Sequence, residues 1–371
     1  MVQTAYVPAA APSWERRPPT ELGLRPDALT HAAEYHRQHE TPWHTDIARV
    51  LRANNRGERE HGAVIGPVQE RGGVAGLVVR HGYVAAEWGD VERVDMTFSV
   101  AKSYLATIAG LALDNGLIRD LDEPVRATVD DGGFDPPHND RITWRHLLQQ
   151  NSEWHGTLWD KPDSVDANRG VGGTTWADAQ KGTPRELKEP GTYFEYNDVR
   201  VNRLALALLR RFQEPLPSVL KRSIMDPIGA SSTWVWHGYE NSYVQIGGQR
   251  VQSVSGGGHW GGGLWASTLD HARFGLLYLR RGHWGSRQLL SERWIHIATT
   301  PSSTNPVYGC LWWLNTNRAQ YPSAPPSSYA AVGAGTNVIW IDPEHDLMVV
   351  ARWVDPASVD GLIAAVLASV D

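Results

Sequence analysis

A serine and a lysine three residues apart form the most chemically suggestive pair in this 371-residue chain. Residues 98–103 read Phe-Ser-Val-Ala-Lys-Ser and lead into an apolar, small-residue segment, which predicts a buried helix over residues 99–113. At this spacing the side chains of Ser99 and Lys102 share one helix face. The helix N-terminus adds positive potential and free N–H groups beside the serine. A lysine partly withdrawn from water loses some preference for its charged form, so Lys102 can act as the base that makes Ser99 a nucleophile.

The four-residue Ser-x-x-Lys pattern is weak by itself, because Ser218 and Lys221 also match it. That second match follows two prolines and precedes Arg222, so a solvated helix start is its simplest interpretation. Ser99, in contrast, opens an apolar segment. A buried Ser/Lys pair needs a reason, whereas an exposed pair does not.

Other catalytic patterns are missing from the sequence. It contains neither the Gly-x-Ser-x-Gly elbow of α/β-hydrolases nor the His-Glu-x-x-His zinc motif. The single cysteine, Cys310, excludes an internal disulfide and a cysteine-cluster zinc site. The glycine runs at 256–258 and 261–263 lack the Lys-Ser/Thr of a phosphate loop, so they predict a backbone turn lining the cleft. We expect no metal ion and no cofactor.

The predicted elements describe one sheet interrupted by a long insertion. Alternating and β-branched segments predict strands at 76–80, 83–88, 307–314, 337–341 and 347–354. Amphipathic or apolar segments predict helices at 200–211, 268–281 and 360–370. Between about 117 and 260 we see short helices and long loops with no run of alternating strands.

The fold class that follows is α+β, with a central antiparallel sheet flanked by helices and an inserted, mostly helical subdomain. Residues 1–115 and 265–371 form the sheet domain, and residues 1–70 wrap around it. Residues 116–264 form the insertion. The active-site cleft is expected between the two parts.

Three segments in this order resemble the motifs of serine β-lactamases, penicillin-binding proteins and their esterase relatives. Residues 98–103 resemble the first motif. Tyr196-Asn197-Asp198 resembles the second, a Tyr-x-Asn, with Asp198 at the asparagine position. Residues 331–335, Ala-Val-Gly-Ala-Gly, stand where the third motif, Lys-Thr-Gly or His-x-Gly, is expected. The resemblance implies a β-lactamase/transpeptidase-like fold.

The same resemblance implies roles for particular residues. Tyr196 would shuttle a proton between serine, lysine and leaving group. The backbone N–H groups of Ser99 and Ala334 would form an oxyanion hole. The Lys and Thr that grip a β-lactam carboxylate are absent, and a carboxylate at Asp198 would favour an amine over an anionic group. The residues predicted to bind substrate are Asp198, Asn197, Trp154, Gly333, His259 and Trp260.

Two further segments resemble the family. Residues 143–152 resemble a helix that ends in a Thr-Ser-Gly turn, here with Glu153 in place of glycine. Residues 259–270 resemble a Gly-Gly-Gly-Leu turn before a helix. Tryptophans are the natural candidates to line the substrate pocket, although core packing explains each one equally well: Trp154, Trp159, Trp176, Trp260 and Trp265.

These residues together predict a serine hydrolase that cleaves small carboxylic esters or amides through an acyl-Ser99 intermediate. A carboxylesterase with weak or no β-lactamase activity is the leading hypothesis. An amide hydrolase of the aminohexanoate-oligomer or D-amino-acid peptide type and an acyltransferase remain open. A catalytically silent ligand-binding module is the alternative from another class, but it predicts loss of Ser99, Lys102 or Tyr196, and all three are present.

Composition limits the partners. A net charge of −6 and the lack of any basic run argue against nucleic acid. No apolar stretch approaches the ~20 residues that span a bilayer, and the first twelve residues lack a secretory pattern. We therefore expect a cytoplasmic protein whose partner is a small-molecule ester or amide, and a homodimer stays open.

Overall fold

The computed structural model describes residues 6–171 and 180–371. Its strands are β1 (Ala75–Arg80), β2 (Tyr83–Trp88), β3 (Asp95–Met96), β4 (Thr157–Leu158), β5 (Lys161–Pro162), β6 (Val235–Ile246), β7 (Gln249–Val254), β8 (Gly263–Ala266), β9 (His283–Trp284), β10 (Arg287–Gln288), β11 (Trp313–Leu314), β12 (Tyr329–Gly333), β13 (Asn337–Asp342) and β14 (Leu347–Arg352). Its α-helices are α1 (Pro26–Gln38), α2 (Ile47–Asn54), α3 (Val100–Asp114), α4 (Trp144–Leu148), α5 (Asp198–Phe212), α6 (Leu216–Leu220), α7 (Thr268–Leu279), α8 (Glu292–Ala298) and α9 (Val359–Leu367).

The central sheet joins the two ends of the chain. Its six strands run in the order β11-β12-β13-β14-β1-β2, and every neighbouring pair is antiparallel. The front hairpin meets the back hairpin where β1 pairs with β14, from Ala75 opposite Arg352 to Arg80 opposite Leu347. The predicted α+β class with a central antiparallel sheet is confirmed.

Both faces of this sheet are covered by helices, because the apolar residues of its central strands point alternately to either side. On β1, Leu77 and Val79 belong to the core beneath α3 and α7, whereas Val78 packs toward α1 and α9. The helices predicted at 99–113, 200–211, 268–281 and 360–370 are observed as α3, α5, α7 and α9. Helix α3 is buried almost all round, so it carries Ser99 and Lys102 into the centre of the molecule.

The prediction of no run of alternating strands between residues 117 and 260 is wrong for residues 235–254. There β6 and β7 form a hairpin that turns at Gly247 and Gly248, whose φ angles are 55° and 81°. Two successive positive φ angles suit glycine and match the twist of a tight hairpin. The hairpin continues through β8 to β3, just before Ser99.

The strand predicted over 307–314 is also shorter than expected. Only Trp313–Leu314 forms a strand, because Leu311 takes a left-handed backbone conformation with φ 60° and breaks the extended chain. The separate insertion at 116–264 stays a prediction. Its apolar side chains, such as Leu208 and Trp236, share one continuous core with Ile339 of the sheet.

No helix in residues 6–171 and 180–371 combines the length and the apolar character needed to cross a bilayer.

Arg352 connects the central sheet to the second sheet that ends at the nucleophile. Its guanidinium is 2% exposed and donates to Asn337 Oδ1 at 2.6 Å, Ala266 O at 3.0 Å and Met96 O at 3.1 Å. These bonds tie β14 and β13 to the ends of β8 and β3. The Arg352 guanidinium therefore fixes the backbone at Met96, three residues before Ser99, through a charged hydrogen-bond donor.

His36 is a buried group whose protonation opposes folding. Its Nδ1 accepts a hydrogen bond from Trp88 Nε1 at 2.9 Å, so its Nε2–H donates to the Arg352 carbonyl at 3.0 Å. Burial lowers the pKa of His36 to about 4. Between pH 6.5 and about 4, His36 is therefore protonated in the unfolded chain but neutral in the folded protein. The free energy of unfolding decreases as the pH is lowered through this range.

We predict that lowering the pH from about 7 to about 5 removes about 2 kcal/mol of unfolding free energy through His36 alone. Urea unfolding of the wild type and His36→Gln at both pH values measures this, because the variant lacks the titration. His31→Gln, on the exposed face of α1, is the control and should keep the full pH dependence. Equal pH dependence in wild type and His36→Gln would contradict the assignment.

Candidate active site

Ser99 lies at the elbow between β3 and α3. It is the N-cap residue of α3, and Phe98 before it has a left-handed backbone with φ 49°. Such a conformation is strained in a bulky residue and persists only where packing holds it. The Phe98 ring is 2% exposed and meets Trp43 and Trp353 edge-on at centroid distances of 5.4 and 6.4 Å. Aromatic packing therefore keeps the nucleophile at a sharp turn.

The structure brings Ser99 and Lys102 together. Lys102 Nζ lies 2.8 Å from Ser99 Oγ, and the lysine is 1% exposed. The second Ser-x-x-Lys match differs, because Ser218 is exposed and Lys221 pairs with Asp226 at 2.6 Å on the surface. Burial therefore separates the candidate nucleophile from the chance match.

Asp198 is the second partner of Lys102. Its Oδ1 lies 2.5 Å from Lys102 Nζ, and both side chains are 2% exposed. Its Oδ2 pairs with Arg169 NH1 and lies 3.3 Å from His259 Nδ1. Burial raises the pKa of this carboxyl, but the positive charges of Lys102 and Arg169 outweigh burial and hold it well below its usual range. Asp198 is therefore a buried carboxylate shared by three positively charged or protonatable groups.

Asn197 positions Asp198 at the start of α5. Its side-chain oxygen accepts from the N–H groups of Val199 and Arg200, which makes it the helix N-cap. Its amide nitrogen donates to Asp163 O at 2.8 Å. The side chain predicted to bind substrate is 0% exposed and is used in capping.

A second layer of charged groups lies behind Asp198. His259 Nε2 is 2.6 Å from Glu58 Oε1, and Glu58 Oε2 accepts from Trp260 Nε1 at 2.7 Å. Burial lowers the pKa of His259, but the nearby carboxylates outweigh it, and the pKa is raised. His259 and Trp260, predicted to bind substrate, are placed in this layer.

Glu58, Asp166 and His259 are residue types that bind metal ions, and their potential ligand atoms lie within 4.8 Å of one another. Lys181 Nζ lies among them, at 2.5 Å from Glu58 Oε1 and 3.1 Å from Asp166 Oδ1. This ammonium supplies the positive charge that the two carboxylates need. We assign no metal ion to the cluster.

Tyr196 lies beside the Ser99–Lys102 pair. Lys102 Nζ is 4.7 Å from the centroid of its ring, and Arg169 lies 5.3 Å from the same centroid. The ring stacks on Trp313 at 5.5 Å and meets Tyr308 edge-on at 6.1 Å. Tyr196 and Ser99 both line the cavity described below.

Gly333 lets the edge of the central sheet approach Ser99. A Cβ on Gly333 would lie 2.1 Å from Thr97 O and 3.2 Å from Ser99 N, so any side chain would push β12 away. Ala334 follows and is exposed. Within the described residues no acceptor is assigned to the N–H of Ser99 or of Ala334. This arrangement suits the predicted oxyanion hole.

A cavity of about 280 Å³ opens beside Ser99. Of the predicted site residues it is lined by Ser99, Tyr196, Gly333 and Ala334, and Lys102 lies behind Ser99. Six lining residues were not predicted. Val332 belongs to the third-motif segment but was not named as a site residue, and no local pattern marks the other five: Arg169, Val171, Trp313, Gln320 and Tyr321.

The remaining predicted substrate residues do not line this cavity. Asn197, Asp198 and Trp260 are buried, His259 is partly buried, and none of the four is among the lining residues. Trp154 is 3% exposed and donates from Nε1 to Gly133 O at 2.6 Å. Trp159 and Trp265 also lie away from the cavity lining, and Trp176 lies outside the described residues.

Glu153 stands where the family resemblance has glycine. Its backbone is left-handed, with φ 50°, which explains why glycine suits this turn. Its buried carboxylate lies 2.7 Å from Arg200 NH1 and 2.5 Å from Arg185 NH2. Two arginines thus supply the opposite charge that a buried carboxylate needs at this position.

Comparison with known proteins identifies the family of this chain. A family model described as Beta-lactamase matches residues 62–368. The chain belongs to the beta-lactamase family. This beta-lactamase-family protein is 24% identical over 258 residues to a "Putative D-alanyl-D-alanine carboxypeptidase" of Escherichia coli O157:H7, a match covering 59% of each chain. The chain thus spans about 59% of the length of this curated relative.

Solved structures share the fold of this beta-lactamase-family protein. A beta-lactamase from Mycobacterium bovis has a TM-score of 0.53 at 19% identity, covering 85% of this chain and 98% of its own. The octameric penicillin-binding protein homologue from Pyrococcus abyssi has a TM-score of 0.57 at 18% identity, covering 87% and 77%. EstCE1, a hydrolase with promiscuous acyltransferase activity, has a TM-score of 0.56 at 16% identity, covering 87% and 99%.

Gly257 makes room for the Lys102–Asp198 pair. A Cβ there would lie 2.0 Å from Asp198 Oδ1 and 2.4 Å from Lys102 Nζ. We predict that Gly257→Ala lowers kcat/KM for a p-nitrophenyl ester by about 10²-fold or more, because the pair must move to accept the methyl group.

Gly73→Ala is the matched control, since a Cβ at Gly73 meets nothing within 4 Å. Its ester turnover should equal that of the wild type. Wild-type turnover in a folded Gly257→Ala variant would show that this packing does not matter to the site.

Proposed function

We propose that this beta-lactamase-family protein is a serine hydrolase that cleaves small, neutral carboxylic esters through an acyl-Ser99 intermediate. The observation that carries the proposal is the 2.8 Å contact between Lys102 Nζ and Ser99 Oγ, beside a cavity that Ser99 lines. A buried amine against a hydroxyl at a helix N-terminus is the arrangement that activates a serine. Family membership supports a hydrolase, and the site supports the serine mechanism.

The proposed acylation step begins with a neutral Lys102. Its amine accepts the Ser99 proton while Oγ forms a bond to the carbonyl carbon. The carbonyl oxygen becomes an oxyanion, which the N–H groups of Ser99 and Ala334 receive. The bond to the leaving alcohol then breaks, and the alkoxide takes a proton through the Tyr196 hydroxyl. Water attacks the acyl-Ser99 ester by the same route in reverse, releasing the acid and restoring the serine.

Charge in the cavity favours neutral substrates. Among the described lining residues, Arg169 is the charged one. Its guanidinium is already paired with Asp198 and Asp166. The sequence analysis favours amine-bearing amides only through the carboxylate of Asp198. This carboxylate is buried behind the cavity and paired with Lys102. The preference for an amine therefore has no support from the lining, and ester hydrolysis is the less demanding acyl transfer.

We predict that Ser99→Ala lowers turnover of p-nitrophenyl esters by about 10³-fold or more, because the covalent route is lost. Ser218→Ala, in the exposed second Ser-x-x-Lys match, is the control and should turn over at the wild-type rate. An aminohexanoate amide measured alongside should be hydrolysed more slowly than the ester. Retained ester turnover in Ser99→Ala would overturn the serine mechanism, and faster amide hydrolysis would overturn the substrate class.

We predict that Tyr196→Phe lowers kcat by about 10²-fold, because the hydroxyl is needed to transfer a proton. Tyr308→Phe is the matched control. Tyr308 is a buried neighbour of Tyr196 whose hydroxyl accepts from Gln150 Nε2 at 2.8 Å, and it does not line the cavity. Equal effects of the two substitutions would assign Tyr196 a packing role only.

A further inference from the structure

A continuous line of buried charged groups runs from Lys102 to Glu58. Lys102 Nζ meets Asp198 Oδ1 at 2.5 Å, and the other oxygen of that carboxylate faces His259 Nδ1 at 3.3 Å. The opposite ring nitrogen, Nε2, faces Glu58 Oε1 at 2.6 Å. Because each ring nitrogen faces a carboxylate oxygen, both nitrogens are placed to donate, which requires the imidazolium form.

Lys102 has conflicting requirements. It must be neutral to accept the Ser99 proton, yet the Asp198 carboxylate stabilises its charged form. A second positive charge beside the same carboxylate weakens this stabilisation of protonated Lys102. The groups placed to do so are Arg169 and His259, both on Asp198 Oδ2.

We propose that His259 is a positioning residue that acts through Asp198: its imidazolium shares the carboxylate with Lys102 and lets Lys102 release its proton to solvent before it activates Ser99. The inference rests on the proposed serine mechanism, and it concerns how Lys102 reaches the neutral form that this mechanism requires. His259 is not among the described residues that line the cavity, and its Nδ1 faces Asp198 Oδ2, so Asp198 connects it to Lys102.

Charged groups of both signs surround His259. Glu58 and Asp166 are negative, and Lys181 Nζ lies 3.4 Å from Nε2 as a positive neighbour. Desolvation and Arg169 oppose the imidazolium, but the carboxylates outweigh them and the pKa of His259 is raised. The charged or titratable groups around His259 and Lys102 are Glu58, Asp166, Arg169, Lys181, Asp198 and Tyr196.

The test is the pH dependence of kcat/KM for a neutral p-nitrophenyl ester, which reports the ionisation of the free enzyme. In His259→Gln, Lys102 keeps its proton to higher pH, so the acidic limb should move up by about one pH unit. His237→Gln is the matched control. His237 packs edge-on against Trp265, and burial alone lowers its pKa, so this substitution should leave the limb in place.

Asp198→Asn gives the second arm, because asparagine keeps the shape of the side chain without its charge. Its acidic limb should move to lower pH, opposite to the shift in His259→Gln. In the Asp198→Asn background, His259→Gln should shift the limb by less than about 0.3 pH units, since the carboxylate that connects the two groups is gone.

A structural role for His259 predicts a different result. Folded His259→Gln and Asp198→Asn would then each lose activity by the same factor at every pH, and the acidic limb of the pH profile would not move. This result would overturn the inference. Failure of the underlying mechanism is recognised separately, because Ser99→Ala would then keep ester turnover. The inference about His259 would also be overturned if His259→Gln shifted the acidic limb equally in the wild-type and Asp198→Asn backgrounds, since the effect would then not pass through Asp198.

Discussion

The central physical constraint in this molecule is the burial of the ion pair between Lys102 and Asp198. Two opposite charges that are each 2% exposed lose several kcal/mol of hydration, and their mutual attraction repays this only with good geometry and further hydrogen bonds. The structure provides these around Asp198, through Arg169, His259 and the N–H of residue 198, which donates to Asp166. A pair of this kind is costly as a stabilising device. Its burial is explained if the pair serves to keep the Lys102 amine against Ser99.

Distant parts of the chain must converge for this pair to exist. Lys102 comes from α3 and Asp198 from α5, and the backbone at Gly257 passes so close that a side chain there would strike both. Arg352 holds the ends of β3 and β8 against the central sheet, and the Phe98 ring locks the elbow before Ser99. The central sheet therefore acts as a rigid base, and the β6–β7 hairpin and α5 deliver the groups that surround the lysine.

The sequence was sufficient for features that depend on local spacing. The Ser99–Lys102 spacing on an apolar helix predicted their contact, and period-2 patterns predicted the two hairpins of the central sheet. The β6–β7 hairpin was missed although Gly247-Gly248 between Val- and Tyr-containing segments is a hairpin signal. Arg169 and the burial of Asp198 could not be predicted, because both depend on long-range convergence that no local pattern encodes. The sequence shows an aspartate, Asp198, at the position where the family motif has asparagine, but the pairing of this aspartate with Lys102 depends on the three-dimensional structure.

The most direct test of this account is the mass of the intact protein after treatment with a fluorophosphonate, followed by peptide mapping. The account predicts a single covalent adduct on Ser99, formed quickly in the wild type and absent in Ser99→Ala. An unmodified protein, or an adduct on another serine such as Ser218, would contradict the claim that the buried Lys102 exists to activate Ser99.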